Sequence, residues 1–182
     1  MRNIGKQFED NIKNSMPKNV YVYRPPDQAQ AFNMNNNLRF SRHSPADYFI
    51  FDGNRNIFLA LECKTFQGSC SIERTKDDKG IIHLYQVESL DKINNYYRAI
   101  AGFLLDFRKS DNTYFLSIND YKLLEQNITK KSFNEQDMLK HCSPILLKKR
   151  KLKVNYRYDM ENLLVELEKT DLVEDTDYGK NF

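Results

Sequence analysis

The stretches Asp47-Tyr-Phe-Ile-Phe51 and Ile57-Phe-Leu-Ala-Leu-Glu-Cys-Lys64, joined by a turn that contains Asp52-Gly-Asn54, decide the fold. Two runs of aromatic, β-branched and aliphatic residues on either side of such a turn predict a β-hairpin. Apolar residues occupy both faces of both predicted strands, which indicates a central sheet that is covered on two sides. A charged side chain inside such a sheet needs a partner or a metal ion.

The segments around this hairpin alternate between helical and strand patterns. Ile4, Phe8 and Ile12 lie at helical spacing and predict a first helix over about 2–15 that Pro17 ends. Apolar positions over 84–101 predict a second helix. The further elements expected are strands over 20–23, 103–107, 113–118 and 151–158, a short helix opening at Asn119-Asp120, and an acidic amphipathic helix over 160–172. This order of elements predicts an α/β sandwich around a mixed β-sheet.

The composition favours a single globular domain in the cytoplasm. With 182 residues, 40% of them hydrophobic, the chain is long and apolar enough to bury a core. It has no run of about 18 apolar residues and no signal-peptide pattern, so we expect neither a membrane span nor secretion. Cys63, Cys70 and Cys142 form no CxxC pair, which argues against a disulfide framework and a zinc site. Without a Gly-rich phosphate-binding loop, we expect no nucleotide cofactor.

The charge is distributed unevenly along the chain. Residues 159–182 carry eight acidic and two basic residues, a net charge of −6, and the remaining residues carry 26 basic and 17 acidic ones, a net charge of +9. We therefore expect a basic domain over 1–158, with a Gln- and Asn-rich arm at about 24–44, and an acidic C-terminal helix and tail over 159–182. The basic domain suits a polyanion such as nucleic acid, and a merely solvated basic surface is the alternative.

Alternation along the second strand of the hairpin places Glu62 and Lys64 on one face of the sheet. If Phe51 pairs with Asn56, Asp47 lies diagonal to Glu62 on that same face. Two carboxylates beside an ammonium group form a candidate Mg²⁺ site for phosphodiester hydrolysis, in which the lysine orients water or offsets charge on the phosphorane. A solvated Glu-Lys surface pair is the alternative, but the apolar surroundings of this strand favour the site.

The same residues match a known motif. Pro45-x-Asp47, followed by Glu62-x-Lys64, resembles the PD-(D/E)xK nuclease motif with one alanine inserted between the proline and the aspartate. The similarity extends over residues 5–120 through the segments Gly5-Lys-x-Phe8-Glu9, Arg24-Pro-Pro-Asp27-Gln28, Ser44-Pro-Ala-Asp47-Tyr, Leu61-Glu-Cys-Lys64-Thr, Gln86 and Ala101-Gly-Phe-Leu-Leu-Asp-Phe107. In this order the segments resemble the RecU-type Holliday junction resolvases, particularly the short forms carried by phages.

The resemblance implies a restriction-endonuclease-like fold, in which helices flank a central mixed β-sheet and an arm protrudes between early strands. The implied site consists of the metal ligands Asp47, Glu62 and the Cys63 carbonyl, the catalytic lysine Lys64, and Glu9 and Gln86 from flanking helices. The implied cofactor is Mg²⁺, with Mn²⁺ as a possible substitute. For Glu9 and Gln86, an ordinary role on a helix surface is the alternative.

The resemblance also implies how DNA is bound. Because symmetric cleavage of a four-way junction takes two active sites, it implies a homodimer that acts on branched DNA. An arm over 24–42 would occupy the position of the stalk that enters the junction centre. The candidate DNA-binding residues are Arg24, Arg39 and Arg42 in this arm, and Lys148, Lys149, Arg150 and Lys151 in a basic run near the C-terminus. For the basic run, a solvated strand edge is the alternative to phosphate contacts.

The sequence thus predicts a Mg²⁺-dependent, structure-selective DNA endonuclease that resolves Holliday junctions in recombination by paired phosphodiester cleavage. Two alternatives stay open. One is another PD-(D/E)xK nuclease of restriction or repair type, because fold and site do not fix the substrate. The other is a non-catalytic DNA-binding protein on the same scaffold, against which the intact Asp47, Glu62 and Lys64 count.

Overall fold

The computed structural model describes residues 3–26 and 44–178, with side chains through Thr170. Within these residues there are five helices and ten strands. The helices are α1 (Ile4–Lys13), α2 (Leu84–Asn94), α3 (Ile118–Asn127), α4 (Glu135–His141) and α5 (Met160–Tyr178). The strands are β1 (Tyr21–Tyr23), β2 (Tyr48–Asp52), β3 (Ile57–Phe66), β4 (Ser69–Ser71), β5 (Ala99–Phe107), β6 (Asn112–Ser117), β7 (Ser132–Asn134), β8 (Ile145–Leu146), β9 (Lys149–Lys151) and β10 (Tyr156–Tyr158).

Six strands form the central sheet, in the spatial order β1-β2-β3-β5-β6-β8. The neighbours β3 and β5 run parallel, and every other neighbouring pair in this sheet is antiparallel. A parallel pair needs a long crossover connection, which here contains α2. The predicted α/β fold with a mixed central sheet flanked by helices is confirmed.

Buried apolar clusters lie on both faces of this sheet, as the hairpin pattern predicts, but Phe51 and Phe58 near the turn of the hairpin stay exposed on one face. On one face, Ala60 and Phe66 of β3 join a buried cluster with residues from α2, α3 and α4. On the other face, Leu59, Leu61 and Cys63 pack with α1 and with the first half of α5. The acidic C-terminal helix therefore contributes apolar side chains to the same core as the basic domain.

The β2–β3 hairpin forms as predicted, but its register differs by two residues from the prediction. Tyr48 pairs with Leu61 and Asp52 with Ile57, so Phe51 faces Phe58 and not Asn56. The reason lies in the turn: the Asp52 carboxylate accepts hydrogen bonds from the backbone N–H groups of residues 54 and 55, and Asn56 adopts a left-handed φ of 54°. Because the shift is even, every side chain keeps its predicted face, and continuing the register places Asp47 directly across from Glu62.

Both predicted helices are shorter in the structure. The first helix, expected over about 2–15, spans Ile4–Lys13, and its Ile4 is 49% exposed whereas Phe8 and Ile12 are buried. The second helix ends at Asn94, because Arg98 adopts a left-handed φ of 59° and the chain from residue 99 onward pairs with β3. Apolar periodicity did not distinguish the end of a helix from the start of a buried strand.

The C-terminal third differs most from the sequence prediction. The single strand expected over 151–158 is a separate two-stranded hairpin, in which β9 pairs with β10 outside the central sheet. The short elements β4, β7, β8 and α4 were not predicted, since two to seven residues carry too little periodicity. Residues 27–43, which contain most of the predicted arm, lie outside the described residues. No helix in the described part of the chain combines the length and apolarity that crossing a membrane requires.

Candidate active site

Glu62 is a carboxylate within the sheet interior. It lies in the middle of β3, on the face covered by α2, and only 4% of its surface is exposed. Burial, and secondly the neighbouring Asp47 carboxylate, raise the pKa of Glu62 to about 7. A carboxyl group in this position is only half ionised near neutral pH unless a metal ion binds it.

Lys64 supplies one cationic partner. Its Nζ lies 3.0 Å from the Glu62 carboxylate oxygen Oε1, and its side chain is largely shielded from solvent. Alternation along the strand predicted that these two residues share a face, and their contact confirms it. The ammonium group lowers the pKa of Glu62 but does not outweigh the effect of burial.

Asp47 precedes β2 and lies beside the part of β3 that β2 no longer pairs with. Its backbone N–H donates to the Leu61 carbonyl over 3.0 Å, and its carboxylate oxygen Oδ2 accepts from the backbone N–H of Cys63 over 2.8 Å. The carboxylate thus satisfies a strand donor that β2, which begins at Tyr48, no longer reaches. Burial raises the pKa of Asp47, although the Cys63 N–H and Lys64 act in the opposite direction.

Gln86 reaches the site from the first turn of α2. Its side-chain Nε2 donates to Oε1 of Glu62, and its Oε1 accepts from the backbone N–H of His83 over 3.0 Å. Because the amide oxygen of Gln86 is bound by the backbone N–H of His83 at the start of α2, the amide nitrogen points toward Glu62. The side chain is buried and links α2 to β3.

Glu73 holds the start of α2 in place, a role that no pattern in the sequence indicated. Its carboxylate accepts from the backbone N–H groups of Leu84 (3.1 Å) and Gly80 (3.3 Å) and lies 2.7 Å from Nδ1 of His83. The hydrogen bond with His83 is the main reason that the pKa of Glu73 is lowered. Gly80 permits this closed loop, since a Cβ there would lie 2.7 Å from the backbone of Ile72.

Glu9 and Arg24 pair at the edge of the site. Nη2 of Arg24 lies 2.7 Å from Oε2 of Glu9, and the Tyr48 hydroxyl donates to the Glu9 carbonyl over 3.1 Å, which fixes α1 against β2. Glu9 raises the pKa of Asp47 and Arg24 lowers it, which places both side chains in its electrostatic environment. The other two candidate DNA-binding arginines of the arm, Arg39 and Arg42, lie outside the described residues.

The donor set suits a hard cation that keeps much of its own hydration. Among the described residues, no three His, Cys, Asp or Glu side chains converge in the way a metal cage made entirely of protein ligands would. Asp47 and Glu62 offer two carboxylates in a desolvated setting that disfavours their combined charge. Mg²⁺ is commonly bound by one or two carboxylates plus water and phosphate oxygens, so these residues fit it.

The basic run is divided between two environments. The side chains of Lys148, Arg150 and Lys151 are exposed. The side chain of Lys149 is only 9% exposed; its Nζ lies 2.8 Å from Asp111 and 3.6 Å from Asp106, and 4.8 Å from the ring centre of Tyr156. These contacts favour a structural role for Lys149, whereas the other three side chains are accessible to a phosphate backbone.

Comparison with known proteins gives two similarities of interest. A solved structure of Archaeoglobus fulgidus Hjc, a Holliday junction resolvase from an archaeal hyperthermophile, matches 78% of this chain and 95% of its own, with a TM-score of 0.47 and 15% sequence identity. The SPbeta prophage-derived uncharacterized protein YotM of Bacillus subtilis (strain 168) is 29% identical over 178 residues, which cover 91% of this chain and 87% of that protein. No family model matches the chain. Neither similarity assigns a substrate to it.

Proposed function

We propose that this protein is a Mg²⁺-dependent DNA endonuclease of the PD-(D/E)xK class that resolves four-way junctions in recombination. The observation that carries the proposal is the environment of Glu62, a buried carboxylate contacted by Lys64 and Gln86 and faced across the strand edge by Asp47. Burying such a group is costly for stability, and a cation that must bind phosphate and water there offsets that cost.

These groups take two roles in hydrolysis. Asp47 and Glu62 would hold the cation, and the Cys63 carbonyl would be the further ligand that the sequence resemblance adds. When bound, Mg²⁺ supplies a more acidic water and a polarised phosphate. Lys64, whose Nζ lies 3.0 Å from Glu62, stands beside this metal position and would offset the charge that develops on the phosphorane.

Gln86 orients one carboxylate, and Glu9 adds charge beside the other. The amide of Gln86 fixes the orientation of the Glu62 oxygen that it contacts, because its other end is bound to the start of α2. Glu9, which is paired with Arg24, adds negative charge beside Asp47. This charge favours binding of a cation between the carboxylates of Asp47 and Glu62.

The substrate assignment rests on charge and on the resemblance to RecU-type resolvases. A net charge of +9 outside residues 159–182 favours a polyanion. We propose that Lys148, Arg150 and Lys151, together with the arginines of the arm, contact the phosphate backbone. We further propose a homodimer, since paired nicks across a junction need two sites.

The proposal is tested by incubating a labelled four-way junction, and a linear duplex of the same sequence, with Mg²⁺ or with EDTA. We expect metal-dependent paired nicks in the junction alone, their loss in Glu62→Gln with binding retained, and no loss in the control Glu88→Gln, an exposed residue of α2. Cleavage of both substrates would point to a nuclease of restriction or repair type. Binding without cleavage under any metal would favour the non-catalytic alternative.

A further inference from the structure

Within the described part of the chain, a patch of aromatic side chains is left exposed on the same sheet face as the candidate site. Its five members, which we call the aromatic patch, are Tyr21, Tyr23, Phe49, Phe51 and Phe58. They line one shallow concavity, and four of them are strongly exposed: Tyr21 at 67%, Tyr23 at 46%, Phe51 at 48% and Phe58 at 37%. Isolated exposed aromatics are ordinary, whereas a contiguous group marks an interaction surface.

The strand register arranges this face in rows. Tyr21, Phe51 and Phe58 are cross-strand neighbours and form one row. Tyr23 and Phe49 form the next row with Ala60, and continuing the register makes Asp47 and Glu62 the third. Successive rows are two residues, or about 7 Å, apart. The aromatic patch therefore begins one row from the two carboxylates and ends about 14 Å from them.

Neighbouring rings of the patch lie nearly parallel to one another. The ring centres of Tyr23 and Phe49 lie 6.4 Å apart with the planes inclined by 17°, and those of Phe49 and Phe58 lie 5.8 Å apart at 14°. The stack thus crosses three neighbouring strands. Near-parallel rings presented by a sheet are a platform on which flat π-systems such as nucleobases stack, whatever their sequence.

The size of the patch suits bases better than a second protein surface. At about 150–250 Å² for a whole aromatic side chain, the exposed fractions amount to about 400 Å². A stable protein interface needs about 800 Å² per partner, roughly twice as much. All five side chains are aromatic and none is aliphatic, which is the composition of a stacking surface.

We infer that the aromatic patch stacks with unpaired nucleobases of DNA whose phosphate backbone lies at Asp47 and Glu62. This inference rests on the proposed function and narrows its substrate to DNA with exposed bases beside the cleaved phosphate. With a rise of about 3.4 Å per nucleotide, the distances of about 7 and 14 Å correspond to bases about two to four nucleotides from that phosphate.

The test replaces rings by leucine, which keeps the side chain apolar but removes its π-face. Tyr23→Leu and Phe51→Leu are compared with Tyr96→Leu, an exposed aromatic residue outside the patch. Binding is measured by anisotropy, with EDTA present so that no cleavage interferes, on a junction with unpaired bases at its centre and on perfect duplex. We expect binding to the unpaired substrate to weaken about 10-fold per ring, and duplex binding and the Tyr96→Leu variant to remain within about twofold of wild type.

A second readout follows the bases themselves. 2-Aminopurine placed at the unpaired bases two to four nucleotides from the cleaved phosphate should lose fluorescence on binding to wild type and recover it in Phe51→Leu. Equal loss of affinity for both substrates, or no change in the fluorescence, would overturn the inference. So would conversion of a dimer to a monomer by Phe51→Leu in analytical ultracentrifugation, because the patch would then be an interface between copies. Since binding needs no cleavage, a wild type that stacks bases but does not cut would contradict the proposed function alone.

Discussion

At the scale of single residues, Glu62 is the group whose protonation decides whether the candidate site can hold a cation. Its pKa is raised to about 7, chiefly by burial, so the side chain is neutral in acid and charged above neutrality. We expect Mg²⁺ affinity and cleavage to rise with pH through about 7, and added Mg²⁺ to lower this pKa. The measurement is a ¹³C NMR titration of the carboxyl group; a signal that titrates at the ordinary value would contradict the prediction.

The same shift affects the stability of the metal-free protein. The unfolded chain loses the Glu62 proton near pH 4.5 and the folded chain near pH 7, so the folded state binds more protons between these values. The free energy of unfolding should therefore fall as the pH rises through this window. Chemical denaturation at several pH values should show a shallower fall in Glu62→Gln, and an identical slope in both proteins would contradict the assignment.

Substitution of Lys64 tests whether its charge serves the cleavage step and not the binding of DNA. Removing the ammonium group in Lys64→Ala should lower the rate of cleavage by about 10²-fold or more while leaving DNA affinity nearly unchanged. It should also raise the pKa of Glu62 further, because Lys64 lowers it in the wild type. The exposed Lys18→Ala serves as the control for loss of one positive charge. Equal effects of the two substitutions on the rate would contradict the role of Lys64.

The sequence predicted the central contacts of the site but not their supports. The shared face of Glu62 and Lys64 follows from strand alternation, which is a local property. The contact between Gln86 and Glu62 depends on the parallel pairing of β3 and β5. Gln86 was proposed as a site residue only through the family resemblance. Glu73 could not be predicted, because its three partners meet it only after an irregular loop has closed.

At the scale of elements, the anchoring of α2 depends on the side chain of Glu73. Glu73→Ala removes the acceptor of two backbone N–H groups and the partner of His83 at the start of this helix. We expect a loss of about 1–2 kcal/mol in the free energy of unfolding, measured with urea, and faster hydrogen exchange over 84–87. Glu88→Ala, in the exposed middle of the same helix, should show neither effect. Equal destabilisation by both would mean that Glu73 does not anchor the helix.

Element boundaries were predicted least well where a turn and not a pattern sets them. The hairpin register moved by two residues because the Asp52 carboxylate organises the turn through backbone N–H groups. The strand expected over 151–158 is a hairpin because residues 152–155 connect β9 to β10, with the Leu152 N–H donating to the Asn155 carbonyl over 2.7 Å. Such hydrogen bonds leave no trace in hydrophobic periodicity.

At the scale of the whole molecule, the basic run should govern how DNA binding responds to salt. Replacing Lys148, Arg150 and Lys151 by alanine should weaken binding to all DNA sequences alike. It should also reduce the slope of log affinity against log salt by about 0.9 for each phosphate that the protein no longer neutralises. An unchanged slope in a salt titration would mean that these residues form a solvated strand edge and do not contact phosphates.

Lys149→Ala provides the contrast within the same run. Its ammonium group is paired with Asp106 and Asp111 in a largely buried setting. Its removal should lower the thermal midpoint of unfolding, because two carboxylates lose their partner, while the salt slope changes little. A large change in slope with unchanged stability would place Lys149 among the residues that bind DNA instead.

The β2–β3 hairpin has a consequence for chain connectivity. Asp47 and Glu62 lie fifteen positions apart in one hairpin, so bringing them together closes only a short loop and costs little chain entropy. The carboxylate pair is therefore a locally encoded unit. Circular permutation or insertion at loops outside residues 44–66 should leave the two carboxylates facing each other. The contact of Gln86 with Glu62, in contrast, depends on the rest of the chain.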